Sequence, residues 1–192
     1  TVLSPVAHLS GLNIVREACQ HEVIGKYIDK VMYGELLETL NLPKVELEQF
    51  AGDVLERFNN PFVDHQVTSI MLNSFPKYKT RDLPGVKTYL SRNGKLPDGL
   101  VLGLAAIITY YKGGVREDGT EIKPNDAPEI IALLDELWKT NNTGKIARGV
   151  LGADFIWGED LNEIPGLTEQ IKLYLDLIQQ EGMLQTVKRI IQ

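Results

Sequence analysis

Apolar residues recur at intervals of three and four along most of the chain, which is the spacing that places them on one face of an α-helix. Two long stripes show it most clearly: Val23, Ile24, Tyr27, Ile28, Val31, Met32, Leu36 and Leu40 in the first, and Leu47, Phe50, Ala51, Val54, Leu55 and Phe58 in the second. Alternation of apolar and polar residues nowhere extends beyond a few positions. The pattern therefore predicts an all-α fold, a bundle of about eight to ten helices in one domain over residues 1–192.

One segment is apolar on every side. Asp98 is followed by an almost uninterrupted apolar run from Leu100 to Ile108. A helix without a polar face has to be surrounded by protein, so this run is the candidate for the central helix of the core. It is far shorter than the roughly 20 residues that a bilayer requires, and no membrane partner is expected.

Glycine, proline and capping residues mark the ends of the other elements. Further helices are predicted at residues 4–11, from about 61 to 74, before Asn93-Gly94, after Asp126, at about 145–151, after Pro165 and after Gly182. Asp126 and Glu129 have the spacing of a capping box. Pro76 is expected to end the helix that begins near residue 61, and residues 77–84 are expected to form a polar, basic connector. Turn signals at 112–119 predict a small hairpin.

The charge balance limits the partners. The chain carries 20 Lys and Arg against 26 Asp and Glu, a formal net charge of −6. Nucleic-acid-binding domains normally carry a basic excess, so no nucleic-acid partner is expected. The single cysteine, Cys19, excludes an internal disulfide and favours a reducing, cytoplasmic location. Because Cys19 stands in an apolar-rich segment, a buried small side chain is favoured over a nucleophile.

Common catalytic and cofactor motifs are absent from the sequence. It contains no glycine-rich dinucleotide fingerprint, P-loop, nucleophile elbow or H-E-x-x-H pattern. The three histidines, His8, His21 and His65, are far apart and lack the spacing of metal ligands, so no metal site is expected.

One polar constellation stands out. His65, Ser69 and Asn73 are four residues apart, so a helix would stack them on one face, and Lys77, Lys79 and Arg81 follow directly. Residues 77–95 contain six Lys or Arg and one Asp, within a chain of negative net charge. Such a basic area can receive a small anion, with Arg and Lys on a carboxylate and the other three side chains near hydroxyls. The alternative is an ordinary solvated surface.

Several segments resemble the C-terminal domain of the sugar-acid reductases in the long-chain mannitol dehydrogenase family. The likeness spans nearly the whole chain and is carried by Thr1–Gly11, Val15–Ala18, Arg57–Pro61, His65-Gln66, Ser69-Ile70, Leu72-Asn73, Lys77–Arg81, Leu104–Ala106 with Tyr111, and Ile164–Leu167. The resemblance implies a helical bundle like the 6-phosphogluconate dehydrogenase C-terminal domain. It also implies an N-terminal Rossmann domain that binds NAD and precedes this chain.

The same resemblance implies where the chemistry lies. Members of the family use a K-x4-N-x2-H pattern that ends just before the position of Thr1, so no catalytic residue is expected in these 192 residues, which alone are expected to be inactive. The abrupt entry into a helix agrees with a piece of a longer chain. The implied reaction is hydride transfer between NAD and a small anionic sugar acid, interconverting tagaturonate and altronate. Here the substrate would be bound by His65, Ser69, Asn73, Lys77, Lys79 and Arg81.

Other interpretations stay open at this point. Fructuronate reduction or mannitol-type polyol oxidation are alternatives within the family, and a freestanding helical module that docks an acidic partner is an alternative outside it. His8 stands where the relatives carry an aromatic residue, and it either touches the pocket or packs as an ordinary half-buried histidine.

Overall fold

The computed structural model describes residues 1–192, which form helices and one two-stranded hairpin. The α-helices are α1 (Leu3–Leu9), α2 (Val15–Gln20), α3 (Glu22–Asp29), α4 (Lys44–Phe58), α5 (Val67–Ile70), α6 (Ser74–Arg81), α7 (Leu83–Asn93), α8 (Asp98–Tyr110), α9 (Pro128–Lys139), α10 (Thr143–Leu151), α11 (Asp154–Trp157), α12 (Leu167–Glu181) and α13 (Met183–Ile190). The other elements are a π-helical segment (Lys30–Leu36), 3-10 turns at Leu37–Thr39 and Leu161–Glu163, and the antiparallel strands β1 (Gly114–Val115) and β2 (Glu121–Ile122). The all-α prediction is confirmed. The structure has thirteen α-helices where the sequence predicts about eight to ten, partly because α5 and α11 are single turns.

The helix α8 is the centre of the bundle, as its apolar sequence predicts. Every residue from Gly99 to Ile108 is buried, and α1 and α12 pack along the helix. Two buried tyrosines reach its first turn: Tyr27 Oη donates to Gly99 O and Tyr78 Oη donates to Leu100 O, each at 3.0 Å. The start of α8 is therefore tied to the elements that surround the candidate site.

The apolar stripe of residues 23–40 forms one helical run that changes type along its length, from α3 through the π-helical segment to a 3-10 turn. Glu35 lies in the π-helical segment and is 2% exposed. Its two carboxylate oxygens accept the backbone N–H groups of Gly99 and Leu100, both at 2.8 Å. A helix start has free N–H groups and a positive dipole end, so Glu35 caps α8 from a separate element.

The helix α1 approaches α8 very closely. A Cβ atom built on Gly103 would stand 2.3 Å from the Cβ of Val2, a separation that real side chains do not reach. Because Gly103 has no Cβ, the start of α1 packs directly against the backbone of α8. Val2 is 5% exposed, so the first residues of the chain are part of the core.

The stretch between α4 and α6 is not the continuous helix that the sequence predicts. Gln66 is extended and forms an antiparallel bridge with Ile14, in which Val15 N–H donates to His65 O and Val67 N–H donates to Asn13 O, both at 2.9 Å. The helix α6 then begins at Ser74 and contains Pro76 in its first turn, where a missing N–H costs no helical hydrogen bond. The predictions that Pro76 ends a helix and that residues 77–84 form a connector are therefore wrong.

The remaining elements agree with their sequence signals except at one cap. The hairpin pairs Gly114 with Ile122, and α7 ends at a left-handed Gly94. The helix predicted after Asp126 is α9, but Asp126 Oδ1 accepts only the N–H of Ala127, at 2.9 Å. Proline at the first position of α9 supplies no N–H, and the predicted capping box does not form.

Candidate functional site

The helix α6 carries the three basic residues of the constellation and is anchored at its start. Asn73 adopts a left-handed conformation, with φ of 52°, which asparagine tolerates better than most residues. Its N–H donates to Asn125 O at 3.0 Å, and the N–H of Ser74 donates to the hydroxyl of Tyr111 at 3.3 Å. That hydroxyl donates to Asp126 Oδ2 at 2.6 Å. The loop before α9 therefore sets the direction of α6.

The helical phase of α6 separates the three basic side chains. Lys77 and Arg81 are four residues apart and share a face, whereas Lys79 lies on the opposite side. The charges of Lys77 and Arg81 both act on the amino group of Thr1. Lys79 lies beside the end of α11, where a Cβ built on Gly158 would stand 3.4 Å from its Nζ. Lys77 and Arg81 therefore lie on the face of α6 near Thr1, whereas Lys79 lies beside α11.

Lys77, Arg81 and Thr1 form a charged group, and the buried carboxylate of Asp82 lies within it. Asp82 is 5% exposed, and its Oδ2 has no hydrogen-bond partner. Burial raises the pKa of the Asp82 carboxyl, opposed by the charge of and a hydrogen bond with the Thr1 nitrogen and by the charge of Arg81. Asp82 is the one acidic residue among the basic residues of 77–95, and no local sequence pattern marks it as buried.

The three uncharged or weakly basic candidates do not stack on one helical face, so that prediction is wrong. His65 lies in the extended segment, Ser69 in the single turn of α5, and Asn73 in the left-handed turn before α6. All three are exposed. The Ser69 hydroxyl donates to Gln66 O at 2.7 Å, a local bond that competes with helical continuation. These three residues are close to α6 in the sequence, but they do not share a common face.

Two adjoining apolar cavities lie next to the charged group. Arg81 lines one of about 390 Å³, and Thr1 and Asp82 line another of about 200 Å³. Three residues line both cavities: Met32, Leu36 and Val54. The cavity of about 610 Å³ between the hairpin and the junction of α12 with α13 is lined by none of the six candidate residues. The charged group therefore borders an apolar trough along α4 and is separate from that larger cavity.

His8 packs inside the protein, 1% exposed, beside the hairpin. Arg116 Nη1 donates to His8 O at 2.9 Å and lies 3.2 Å from His8 Nδ1. Because arginine can only donate, Nδ1 accepts and the proton of the neutral ring is on Nε2. Burial and the Arg116 charge lower the pKa of His8 to about 4. His8 thus joins α1 to the hairpin, and it does not line the cavities beside α6.

Other reactive groups offer little chemistry. Cys19 is half-buried, and burial, with the charge of Asp29, raises the pKa of its thiol to about 11. No three His, Cys, Asp or Glu side chains are grouped so that they can hold a metal ion. None of the helices combines the length and the apolar character of a membrane span.

Two solved structures share this fold. Mannitol 2-dehydrogenase of Pseudomonas fluorescens, in a ternary complex with NAD and D-mannitol, superposes with a TM-score of 0.85 at 20% identity over 99% of this chain and 38% of that chain. A substrate-free D-sorbitol dehydrogenase superposes with a TM-score of 0.79 at 16% identity over 97% of this chain and 37% of the other. The fold is therefore that of the helical region of sugar-alcohol dehydrogenases.

The chain belongs to the family of mannitol dehydrogenase C-terminal domains, whose sequence pattern matches residues 1–179. The resemblance inferred from the sequence is confirmed. The altronate oxidoreductase of Bacteroides thetaiotaomicron is 76% identical over 191 residues, and that of Bacillus subtilis is 38% identical over 185 residues. The matched region covers 100% and 95% of this chain but only 40% and 37% of these relatives. The chain thus spans about 40% of their length.

Proposed function

We propose that this chain is the substrate-binding part of an NAD-dependent oxidoreductase that interconverts tagaturonate and altronate. The observation that carries the proposal is the 76% identity to an altronate oxidoreductase over the whole of this chain. Identity to the structure that binds D-mannitol is only 20%, which supports the fold and not a polyol substrate. The single cysteine and the absence of disulfides favour the cytoplasm.

The division of labour follows from what the chain contains. It is helical throughout apart from one small hairpin and lacks the strand–turn–helix unit that cradles a dinucleotide, so we assign NAD mainly to an upstream Rossmann domain. The catalytic lysine, asparagine and histidine are likewise assigned to the polypeptide before Thr1. NAD would accept or deliver the hydride; the residues of this chain would bind and orient the sugar acid.

The proposed carboxylate site is the face of α6 that carries Lys77 and Arg81. A guanidinium can hold a carboxylate with two parallel hydrogen bonds, and an ammonium adds a compact charge. Lys77 is already directed by a 2.9 Å hydrogen bond from its Nζ to Ile70 O, with two further protons free for a substrate. Both side chains lie near Thr1, next to the proposed catalytic segment.

The rest of the proposed binding set is less closely grouped. His65, Ser69 and Asn73 are assigned to substrate hydroxyls; the His65 and Asn73 side chains are exposed, whereas the Ser69 hydroxyl already donates to Gln66 O. Lys79 completes the set. Its position on the opposite side of α6 gives it the smallest expected effect.

The test is steady-state kinetics on the full-length protein with altronate and NAD, following NADH formation. Replacing Lys77 or Arg81 with alanine should raise the KM for altronate by about tenfold or more, because each loses a charged hydrogen bond worth about 1.5–3 kcal/mol. Lys79→Ala is the matched control on the same helix, with a smaller expected change.

Two results would contradict the proposal in different ways. A full-length protein that oxidises mannitol but not altronate would refute the assigned substrate class. An unchanged KM in both the Lys77 and Arg81 variants of an altronate-active enzyme would refute only the carboxylate site.

A further inference from the structure

The turn between α5 and α6, residues 71–73, is held by groups from a distant part of the chain. Asn73 is left-handed, with φ of 52°, and its N–H donates to Asn125 O at 3.0 Å. The Tyr111 hydroxyl accepts the N–H of Ser74, the first residue of α6, at 3.3 Å. A left-handed residue other than glycine persists where its surroundings fix it, so these two bonds maintain the shape of the α5–α6 turn.

Tyr111 is itself fixed, because it lies at the end of the central helix. Its N–H donates to Ile107 O at 3.1 Å, which continues the hydrogen bonds of α8, and its side chain is buried. Its ring meets the ring of Phe75 edge to face, with centroids 4.9 Å apart. Tyr111 thus touches the first two residues of α6, Ser74 through a hydrogen bond and Phe75 through its ring. The start of α6 is therefore oriented by α8.

Asp126 orients the Tyr111 hydroxyl. Its Oδ2 accepts the hydroxyl proton at 2.6 Å, and its Oδ1 accepts the N–H of Ala127 at 2.9 Å, at the start of α9. Burial, together with the hydrogen bond to Asp126, raises the pKa of Tyr111, so the hydroxyl keeps its proton at neutral pH. Because that proton is directed to Asp126, an oxygen lone pair is left to accept the N–H of Ser74.

The α5–α6 turn also sets the position of Lys77. The N–H of Lys77 donates to Asn73 O at 3.3 Å, and its Nζ donates to Ile70 O at 2.9 Å. Both ends of this residue are therefore joined to the backbone on the two sides of the turn. A change in the turn would move the Lys77 ammonium group and the Asn73 side chain together. Hydrogen bonds to a bound carboxylate weaken steeply with distance and angle, so such a movement would weaken binding.

We propose that Tyr111 and Asp126 are positioning residues, which act as one unit to hold the α5–α6 turn in the arrangement that binds the sugar acid. They act on Asn73 and Lys77 through the N–H of Ser74, and neither is assigned a contact with the substrate. The proposal rests on the proposed function for the identity of the substrate. Groups that are held in place before the substrate arrives lose less freedom on binding, so the effect of the pair is on affinity.

The first measurement is the KM and kcat of the full-length protein with altronate and NAD. Tyr111→Phe keeps the ring against Phe75 and removes the hydroxyl, so the KM for altronate should rise about three- to tenfold while kcat changes less than about twofold. Tyr174→Phe is the matched control, because it also removes a buried hydroxyl that donates to a carboxylate, Asp98 Oδ1 at 3.0 Å. That bond lies at the opposite end of α8, so this variant should keep the KM of the parent protein.

A second variant tests whether the two residues act as one unit. Asp126→Asn keeps one acceptor oxygen for Ala127 but turns an amide donor toward Tyr111, and should raise the KM for altronate by a similar or smaller factor. The double variant of Tyr111→Phe and Asp126→Asn should have about the KM of Tyr111→Phe alone, because both changes act through the same hydroxyl. Factors that multiply in the double variant would overturn the joint action.

Hydrogen–deuterium exchange on the same full-length variants gives a readout that needs no turnover. The amides of residues 71–77 should exchange about tenfold faster in Tyr111→Phe and at the parent rate in Tyr174→Phe. The proposal is overturned by parental exchange at 71–77 in Tyr111→Phe, by an altronate KM that stays at the parent value, or by an equal rise of KM in Tyr174→Phe. A parent protein that does not oxidise altronate refutes the proposed function instead, and the exchange rates then decide whether Tyr111 holds the turn.

Discussion

Replacing Glu35 tests how far the central helix depends on a cap supplied by another element. Glu35→Ala leaves the N–H groups of Gly99 and Leu100 buried without their acceptor. A hydrogen bond to a charged group contributes about 1.5–3 kcal/mol, so two bonds give a gross loss of about 3–6 kcal/mol. Burial raises the pKa of Glu35 because desolvation of the ionised carboxyl outweighs the effect of those two bonds on its ionisation, and relief of this desolvation in the variant offsets part of the gross loss. We therefore expect a net loss of about 2–4 kcal/mol in the free energy of unfolding.

The conservative variant separates charge from shape. Glu35→Gln keeps one acceptor oxygen but turns an amide donor toward the other N–H, for an expected loss of about 1–3 kcal/mol. Because the folded-state pKa of Glu35 lies above its ordinary value of 4.5, the protonated carboxyl stabilises the fold below that value, and this stability is lost as the pH rises through the folded pKa. Glutamine does not titrate, so the deficit of the variant should narrow from acid toward neutral pH.

Denaturant unfolding followed by circular dichroism measures both effects, with Glu56→Ala on the exposed side of α4 as the control. A loss below about 0.5 kcal/mol in Glu35→Ala, the size of an ordinary surface substitution, would refute the capping role. A deficit of Glu35→Gln that does not change with pH would refute the origin assigned to the pKa shift.

Three further predictions concern separate parts of the bundle. The pKa of His8 is lowered from 6.5 to about 4, so its imidazole NMR shifts should stay constant from neutral pH to well below 6.5. The contribution of His8 to stability should be lost only as the pH falls from 6.5 toward 4. A ring that titrates near 6.5 would contradict its burial. Gly103→Ala should lower the midpoint of thermal unfolding, with a loss of about 1–3 kcal/mol or more in the free energy of unfolding. Gly52→Ala, where the added methyl meets nothing within 4 Å, should raise the midpoint, with a gain of about 0.5–1 kcal/mol. Equal shifts in the two variants would refute the close packing of α1 on α8. Cys19, whose thiol pKa is raised to about 11, should react with a thiol reagent far more slowly at pH 8 than a free cysteine does, and rapid labelling would show an open site.

Periodicity predicted most of the helices because it records which faces are buried. The all-round apolar run at 100–108 could only be a core helix, and the stripe that begins at Val23 is helical as far as Thr39. The failure at 61–74 has a specific cause: residues 65–67 pair with residues 13–15, a contact between distant parts of the chain that no local pattern contains. Once that pairing makes the chain extended, α6 begins eight residues later, at Ser74.

The candidate site was predictable as a basic segment but not as a geometry. A connector at residues 77–84 would have left Lys77, Lys79 and Arg81 as one group. The helix instead places Lys79 half a turn away from Lys77 and Arg81. Asp82 had no distinguishing sequence signal, since burial of a carboxylate depends on what packs around it. The role of Glu35 could not be predicted for the same reason. Its partners, Gly99 and Leu100, lie 64 and 65 positions further along the chain.

The close approach of Val2 to Gly103 limits where motion between parts of a longer protein can occur. A joint whose residues interlock with the backbone of the central helix is rigid and cannot act as a hinge. If the proposed upstream region opens and closes against this chain, the pivot therefore lies before Val2. Flexibility introduced within α1 would loosen the core and give no useful domain movement.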